Sequence, residues 1–297
     1  METALSFEIS AMSKIDNTLE HLLKNTEELT PLFYTVNTEI GKTEWRDTYN
    51  TCCELKNLTH VNVVPHIAIN NKDECELCFI IEEYLKNDIT ELFVIRGDRH
   101  RFDEELPFNY GIELIDFIRR RYPEVMIKSS IYPDYHKESI IPEIEIDWLR
   151  KKLQLGVTEL ISQLCLNKNA FSYMKKQLGN DIPITISMMP MLNFSFIESF
   201  FKNNAIDYPL WIKKHIRPSN INNHSAFGIQ LTQFLIGEYI KENKRLHFFT
   251  LNNAQMVKKL FDKLRWIIWI SLIDWTIFSS EINIGFIPTT IGDDNQF

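Results

Sequence analysis

Eight short runs rich in β-branched and aromatic residues punctuate the chain. They are Ser6–Ser10, Leu32–Asn37, Asn62–Ile69, Glu91–Arg96, Met126–Pro133, Glu159–Leu166, Ile184–Pro190 and Leu246–Leu251. Several are nearly continuous in apolar character rather than alternating, which predicts strands covered on both faces. Between them lie segments with helical spacing: Asp16–Lys24, Glu44–Leu55, Lys72–Lys86, Phe108–Arg121, Glu143–Leu155 and Ala170–Leu178. Ser195–Asn203, Pro209–Ile216 and Ser225–Asn243 follow the seventh strand, and Asn71 and Ser195 are read as helix caps. Strands alternating with helices imply parallel pairing through right-handed crossovers. Eight such units predict a closed (β/α)8 TIM barrel. The rival is a doubly wound open sheet, but Ser6-Phe7-Glu8-Ile9-Ser10 lacks the glycine-rich turn that such a nucleotide-binding sheet carries after its first strand.

A chain of 297 residues accommodates one such barrel. We assign residues 1–263 to the barrel and 264–297 to an apolar C-terminal appendage bearing Trp266, Trp269 and Trp275. Packing on the barrel exterior is the first reading of that appendage, and a contact between copies of the chain, a homo-oligomer, is the second. The final residues, Thr289 to Phe297, read as disordered. A net charge of −8 and the lack of a basic tract disfavour nucleic acid as a partner. The basic run Arg119-Arg120-Arg121 closes a helical pattern, where cations suit the helix dipole. No signal peptide or spanning segment is legible, so a soluble cytoplasmic protein without a membrane partner is expected. The five cysteines include a CxxC, Cys75 and Cys78, inside a helical segment with no second pair at zinc spacing. They read as buried or partly buried free thiols, with no metal.

In a barrel of this kind, chemistry gathers at the carboxyl ends of the strands. Those ends carry Glu8, Asn37 and Thr38, His66, Arg96 and Asp98, Tyr132 and His136, Gln163, Asn193 and Phe194, and Thr250 and Asn252. Two carboxylates, two histidines, an arginine, a tyrosine and several amides on one rim suit a polar, planar ligand together with a proton donor.

Several of these tips resemble the methylenetetrahydrofolate reductase family. The resembling pieces are Ser6-Phe7-Glu8, Pro65-His66, Arg96-Gly97-Asp98, Tyr132-Pro133-Asp134-Tyr135-His136, Gly156 with Ile161-Ser162-Gln163, Asn193-Phe194, and His247-Phe248-Phe249-Thr250-Leu251-Asn252. They occur in family order over roughly residues 5 to 262. The resemblance implies a barrel carrying FAD non-covalently, with ping-pong transfer of hydride from NAD(P)H to the flavin and then to methylenetetrahydrofolate. It implies Glu8 as general acid for opening the imidazolidine ring, and Asp98 as a catalytic partner of flavin and pterin. His66, Arg96, Tyr132 and His136 match flavin-contacting positions, and Lys152 matches a lysine near the flavin phosphates. Asn37, Thr38 and Gly97 stand at the tips beside them and complete the cofactor-binding set. Gln163, Phe194 and Phe249 match substrate-binding positions.

The chain also departs from the family pattern. Asn37-Thr38-Glu39-Ile40 replaces a glycine-containing tip, and Glu145 and Trp148 replace a shorter acid and an asparagine near the adenosine portion. Phe249 replaces a tyrosine. Asn253 replaces an arginine, whose loss removes about 1.5–3 kcal/mol of charge-assisted binding. These changes keep open a reading of a different class: a non-catalytic barrel that binds flavin or folate as a partner protein.

Overall fold

The strands close on themselves because every one is flanked by two others and none is left with an open edge. In the computed structural model the order is β1-β2-β3-β4-β5-β6-β7-β8 in one closed barrel, and every pairing is parallel. The residues described are 3–97, 107–136, 138–179, 181–191, 194–204, 206–210, 212 and 224–270. The strands are β1 (Ala4–Ile9), β2 (Phe33–Val36), β3 (Asn62–Ala68), β4 (Glu91–Ile95), β5 (Met126–Ile131), β6 (Val157–Ser162), β7 (Ile184–Met188) and β8 (Arg245–Phe249). The helices between them are α1 (Thr18–Thr26), α2 (Trp45–Leu58), α3 (Glu74–Lys86), α4 (Gly111–Arg121), α5 (Pro142–Gln154) and α6 (Lys168–Leu178). After β7 come α7 (Phe194–Asn204) and α8 (His224–Ile240), and α9 (Ala254–Ile270) follows β8.

All eight predicted strands are present within a few residues of their expected bounds. Neither helix cap named from the sequence is used as one. Asp73, not Asn71, caps α3 by accepting the Glu76 amide at 2.8 Å, while Asn71 sits in a turn at φ +31°. Helix α7 begins at Phe194, so Ser195 falls inside it. The expected helix Pro209–Ile216 lies largely outside the described residues. Helix α9 runs across residue 264 without a break, and residues 271–297, with Trp275, lie outside the described residues. The cysteines are free, but Cys75 is exposed rather than buried, because it opens α3 on the solvent side. Among the described residues no helix is long and apolar enough to cross a membrane.

Alternation along each strand divides the protein into two cores. Leu5, Phe7 and Ile9 of β1 join the large core between sheet and helices, as do Ile184, Ile186 and Met188 of β7. The residues between them point into the barrel, where the apolar filling is small: Phe33, Val64, Phe93 and Ile161, with Ile95 against them. The rest of the interior is polar. At its lower end Lys128 meets Glu91 at 3.0 Å and Glu159 at 2.7 Å, and Arg245 meets Glu159 at 3.1 Å. Burial alone would raise the Glu159 pKa, but Lys128, Thr185 and Arg245 hold it below its ordinary value.

Register places these inward residues in layers. Glu8 pairs with Thr35, and Thr35 with Val64. Strand tilt in an eight-stranded barrel of shear eight advances the chain about one residue per strand. The β3 residue level with Glu8 is therefore His66, and the 3.6 Å Glu8–His66 contact agrees. Carried around the barrel, the same step gives Glu8, His66, Ser130 and Ser187 as one layer and returns to Glu8. Below it lie Thr35, Phe93, Ile161 and His247, and the Thr35–His247 contact of 3.3 Å fits that level. Above it, at the mouth, come Asn37, Ile95, Gln163 and Phe249.

Candidate active site

Glu8 sits at the carboxyl end of β1, one layer beneath the mouth, with its side chain 17% exposed. Burial pushes its carboxyl up to about 7, and a hydrogen bond from the Asn37 side chain offsets part of that rise. A carboxyl so placed is half protonated near neutral pH, as a general acid requires. Asn37 is held for this role, since its Oδ1 accepts the Ala11 amide at 2.9 Å and its carbonyl accepts the Thr48 hydroxyl at 3.0 Å. The β1 tip is also tied to β8. Thr250 donates to the Glu8 carbonyl at 2.6 Å, and Asn252 bonds both the amide and the carbonyl of Ser10 at 2.8 Å.

His66 faces Glu8 from β3, edge-on to Phe93 with ring centroids 4.4 Å apart. Burial, then the neighbouring His247, lowers its pKa to about 3, so the imidazole is neutral. Its Nε2 is buried without a hydrogen-bond partner among the described residues. His247, one layer below, is likewise brought to about 3, by burial and then by Lys128. Its ring sits between Ser6 Oγ at 2.8 Å and Thr35 Oγ1 at 3.3 Å. Phe249 stands above it, edge-to-face at 5.9 Å.

A second group forms at the ends of β4 and β5. Arg96 makes a two-pronged ion pair with Glu138, and the Glu138 amide donates to His136 Nδ1 at 3.2 Å. His136 packs edge-on to Tyr132 at 4.8 Å. Lys152 reaches back from α5 to the Ser130 carbonyl at 3.2 Å. Burial draws its pKa down to about 8, with Glu145 acting the other way. Lys152 is therefore not part of a solvated helix face, although Arg150 and Lys151 beside it are exposed. Gly97 closes this side at φ +80°; a Cβ there would lie 2.0 Å from Asn70 Oδ1 and 2.9 Å from Ala68 Cβ, so only glycine fits.

The remaining expected residues are placed less directly. Gln163 turns its side chain back to accept the Leu164 amide at 2.8 Å. Thr38 is buried and accepts the Thr48 hydroxyl of α2 at 3.0 Å, away from Glu8. Phe194 opens α7, but its side chain, like Asp98 and Asn193, lies outside the described residues.

A profile of the family described as methylenetetrahydrofolate reductase matches residues 1–265. This chain belongs to the methylenetetrahydrofolate reductase family. A curated relative, the 5,10-methylenetetrahydrofolate reductase of Buchnera aphidicola subsp. Baizongia pistaciae, is 26% identical over 267 residues, covering 85% of this chain and 88% of the relative. The Escherichia coli protein of the same name is 22% identical over 250 residues, with 82% and 84% covered. Among solved structures, 2,3-dimethylmalate lyase, of the PEP mutase/isocitrate lyase superfamily, gives a TM-score of 0.54 at 9% identity, over 89% of this chain and 82% of that one. Oxaloacetate acetylhydrolase with oxalate gives 0.53 at 10% identity, with the same coverage. At such identity those two show the barrel fold alone.

The rim fits the flavin that this reductase family implies. His66 offers a buried, unpartnered ring nitrogen. Gly97 leaves the β4 tip without a side chain, and Lys152 is a buried cation on the same rim that could meet a phosphate. Trp148, on the same helix as Lys152, stacks on Tyr110 at 6.2 Å, and both rings are exposed.

Some participants were not legible as such. Glu138 pairs with Arg96 across 42 residues and carries no local signal. Glu39, at φ +54°, anchors Lys72 at 2.6 Å and Asn70 at 2.9 Å, fixing the departed β2 tip. The Asn70-Asn71 pair was an available signal for the separate turn after β3, since asparagine tolerates positive φ. Asn253 caps α9 by accepting the Met256 amide at 3.0 Å.

Proposed function

We propose that this member of the family reduces 5,10-methylenetetrahydrofolate to 5-methyltetrahydrofolate with NAD(P)H, using bound FAD. The observation that carries the reading is Glu8: a shielded carboxyl raised to about 7, one layer beneath the barrel mouth and flanked by a neutral histidine. When bound, the flavin supplies the hydride relay between nicotinamide and folate. Glu8 holds a proton near pH 7 and gives it to a nitrogen of the imidazolidine ring as that ring opens. Asn37 keeps the carboxyl oriented. His66, neutral and with Nε2 free among the described residues, hydrogen bonds the planar cofactor. Arg96, Tyr132, His136 and Gly97 would help hold it, and Lys152 would meet its phosphates. Gln163 would bond the pterin on turning from the Leu164 amide, Phe249 and Phe194 are the aromatic residues we assign to the substrate rings, and Asp98 is the carboxylate we assign to flavin and pterin.

The test is spectroscopic. Purified protein should be yellow or should take up added FAD, bleach anaerobically with NADH or NADPH, and regain colour with methylenetetrahydrofolate. Glu8→Gln should leave the bleaching nearly intact and abolish the return. Protein that takes up no FAD ends the proposal, and equal loss of both halves in Glu8→Gln removes the acid role from Glu8.

A further inference from the structure

The tips of β2, β3 and β4 are joined through one carboxylate. Glu39, just past β2, lies at φ +54°, a left-handed conformation that glutamate seldom adopts and that persists only where its surroundings hold it. Its own side chain supplies that hold: Oε2 accepts Lys72 Nζ at 2.6 Å and Asn70 Nδ2 at 2.9 Å, both from the turn after β3. Lys72 is buried and also donates to the Ala68 carbonyl at 3.3 Å, so the carboxylate is moored to the end of β3 itself. Asn70 carries the link onward. A carboxylate only accepts, so the Asn70 amide turns its NH2 toward Glu39 and its oxygen away. That oxygen faces β4, where it lies 2.0 Å from the position a Cβ on Gly97 would take. Asn70 Oδ1 is buried and has no hydrogen-bond partner among the described residues, so the other end of the amide sets its place. Beside it the Ile69 amide donates to the Arg96 carbonyl at 3.2 Å, which carries the β3–β4 pairing out to the rim.

We propose that Glu39 is a positioning residue for the cofactor: by fixing the orientation of the Asn70 amide it seats Gly97 and Arg96 at the β4 tip, and so sets how tightly the flavin is held. The inference rests on the flavin reading given above, and neither Glu39 nor Asn70 is among the residues assigned to the flavin there. The two bonds of Glu39 do different work. The ion pair to Lys72 stabilises the tip, since both partners are shielded, their side chains 21% and 6% exposed. The bond to Asn70 sets geometry, since it decides which end of the amide meets Gly97. Groups that bind a ligand need to be held within a fraction of an ångström by the shell behind them. Loosening the amide should therefore lower affinity out of proportion to stability.

Two substitutions in the whole protein separate these roles. Glu39→Gln keeps an oxygen for Asn70 and Lys72 but removes the charge. Asn70→Gly removes the amide while suiting the φ of +29° at that position. FAD affinity is read by fluorescence titration and stability by urea unfolding. Asn70→Gly should weaken FAD about tenfold or more. Glu39→Gln should lower the urea midpoint yet hold FAD within about twofold of the unaltered protein. The Ile69 amide reports the same contact without cofactor: in Asn70→Gly its hydrogen exchange should quicken about tenfold or more relative to amides in the strand centres. If the unaltered protein binds FAD and Asn70→Gly binds it equally well, the inference falls and the flavin reading stands. FAD affinity that drops in step with urea stability in both variants also overturns the inference, since the link would then be structural only. If the unaltered protein takes up no FAD, the flavin reading falls; quickened exchange at Ile69 would still uphold the seating of the β4 tip by Asn70, and unchanged exchange would remove it.

Discussion

Glu8→Gln should stabilise the protein at alkaline pH, by an amount set by the burial of the carboxyl. Unfolded, a glutamate titrates near its ordinary value of 4.5; folded, Glu8 titrates at about 7. The folded state thus binds this proton more tightly than the unfolded state does. The resulting stability is fully present below pH 4.5 and is lost as pH rises through 7. Each tenfold difference in proton affinity is worth about 1.4 kcal/mol, so the whole loss is about 3 kcal/mol, of which about 2–3 kcal/mol falls between pH 5 and pH 8.5. Glutamine has the same shape and no charge to desolvate, so it escapes that loss. Urea unfolding of both proteins at the two pH values gives the result as a difference, in which every other titrating group cancels. The variant's advantage should grow by about 2–3 kcal/mol on going to pH 8.5. An advantage that stays constant would mean Glu8 is an ordinary ionised glutamate, and the acid reading would fail with it. The measurement needs no cofactor or substrate, so it tests the carboxyl apart from catalysis.

Gly97→Ala should cost about 2–4 kcal/mol in urea unfolding, combining a positive φ with overpacking against Asn70 and Ala68; a cost below about 0.5 kcal/mol would show that the β4 tip is not so confined. Glu159→Gln leaves the buried Lys128 and the half-buried Arg245 with one charged partner fewer and should destabilise by about 3 kcal/mol, seen as a lower urea midpoint with an unchanged slope. Lys152→Met should weaken FAD about ten- to hundredfold in fluorescence titration, the worth of one charge-assisted contact, while circular dichroism stays native. Unchanged FAD affinity in Lys152→Met would move the phosphates elsewhere on the rim.

What the sequence made legible was the periodic part. Runs such as Ile67-Ala68-Ile69 and Phe93-Val94-Ile95 announce strands from local chemistry alone, and polar tips after each run announce the rim. Glu8 and His66 could be placed on that rim one at a time. Their contact could not, because it depends on how far the sheet is sheared when it closes, which no single segment encodes. The same holds for Lys128 and Glu159, polar residues in strands whose inward direction emerges only with the register. Arg96 was recognisable, but its partner Glu138 lies in a loop where any charge would look alike. The capping of α3 passed from Asn71 to Asp73 because the Asn70-Asn71 pair is used for a left-handed turn, which leaves the next acid to start the helix.

Among the described residues, the ion pairs among Glu91, Lys128, Glu159 and Arg245 fill the cylinder from beneath, which leaves the rim as the approach to Glu8. Anything that visits the floor beside Glu8 must back out by the route it entered. If the proposed nicotinamide and folate both use that floor, they must queue, and alternating occupancy would be a property of the architecture before it is one of the chemistry.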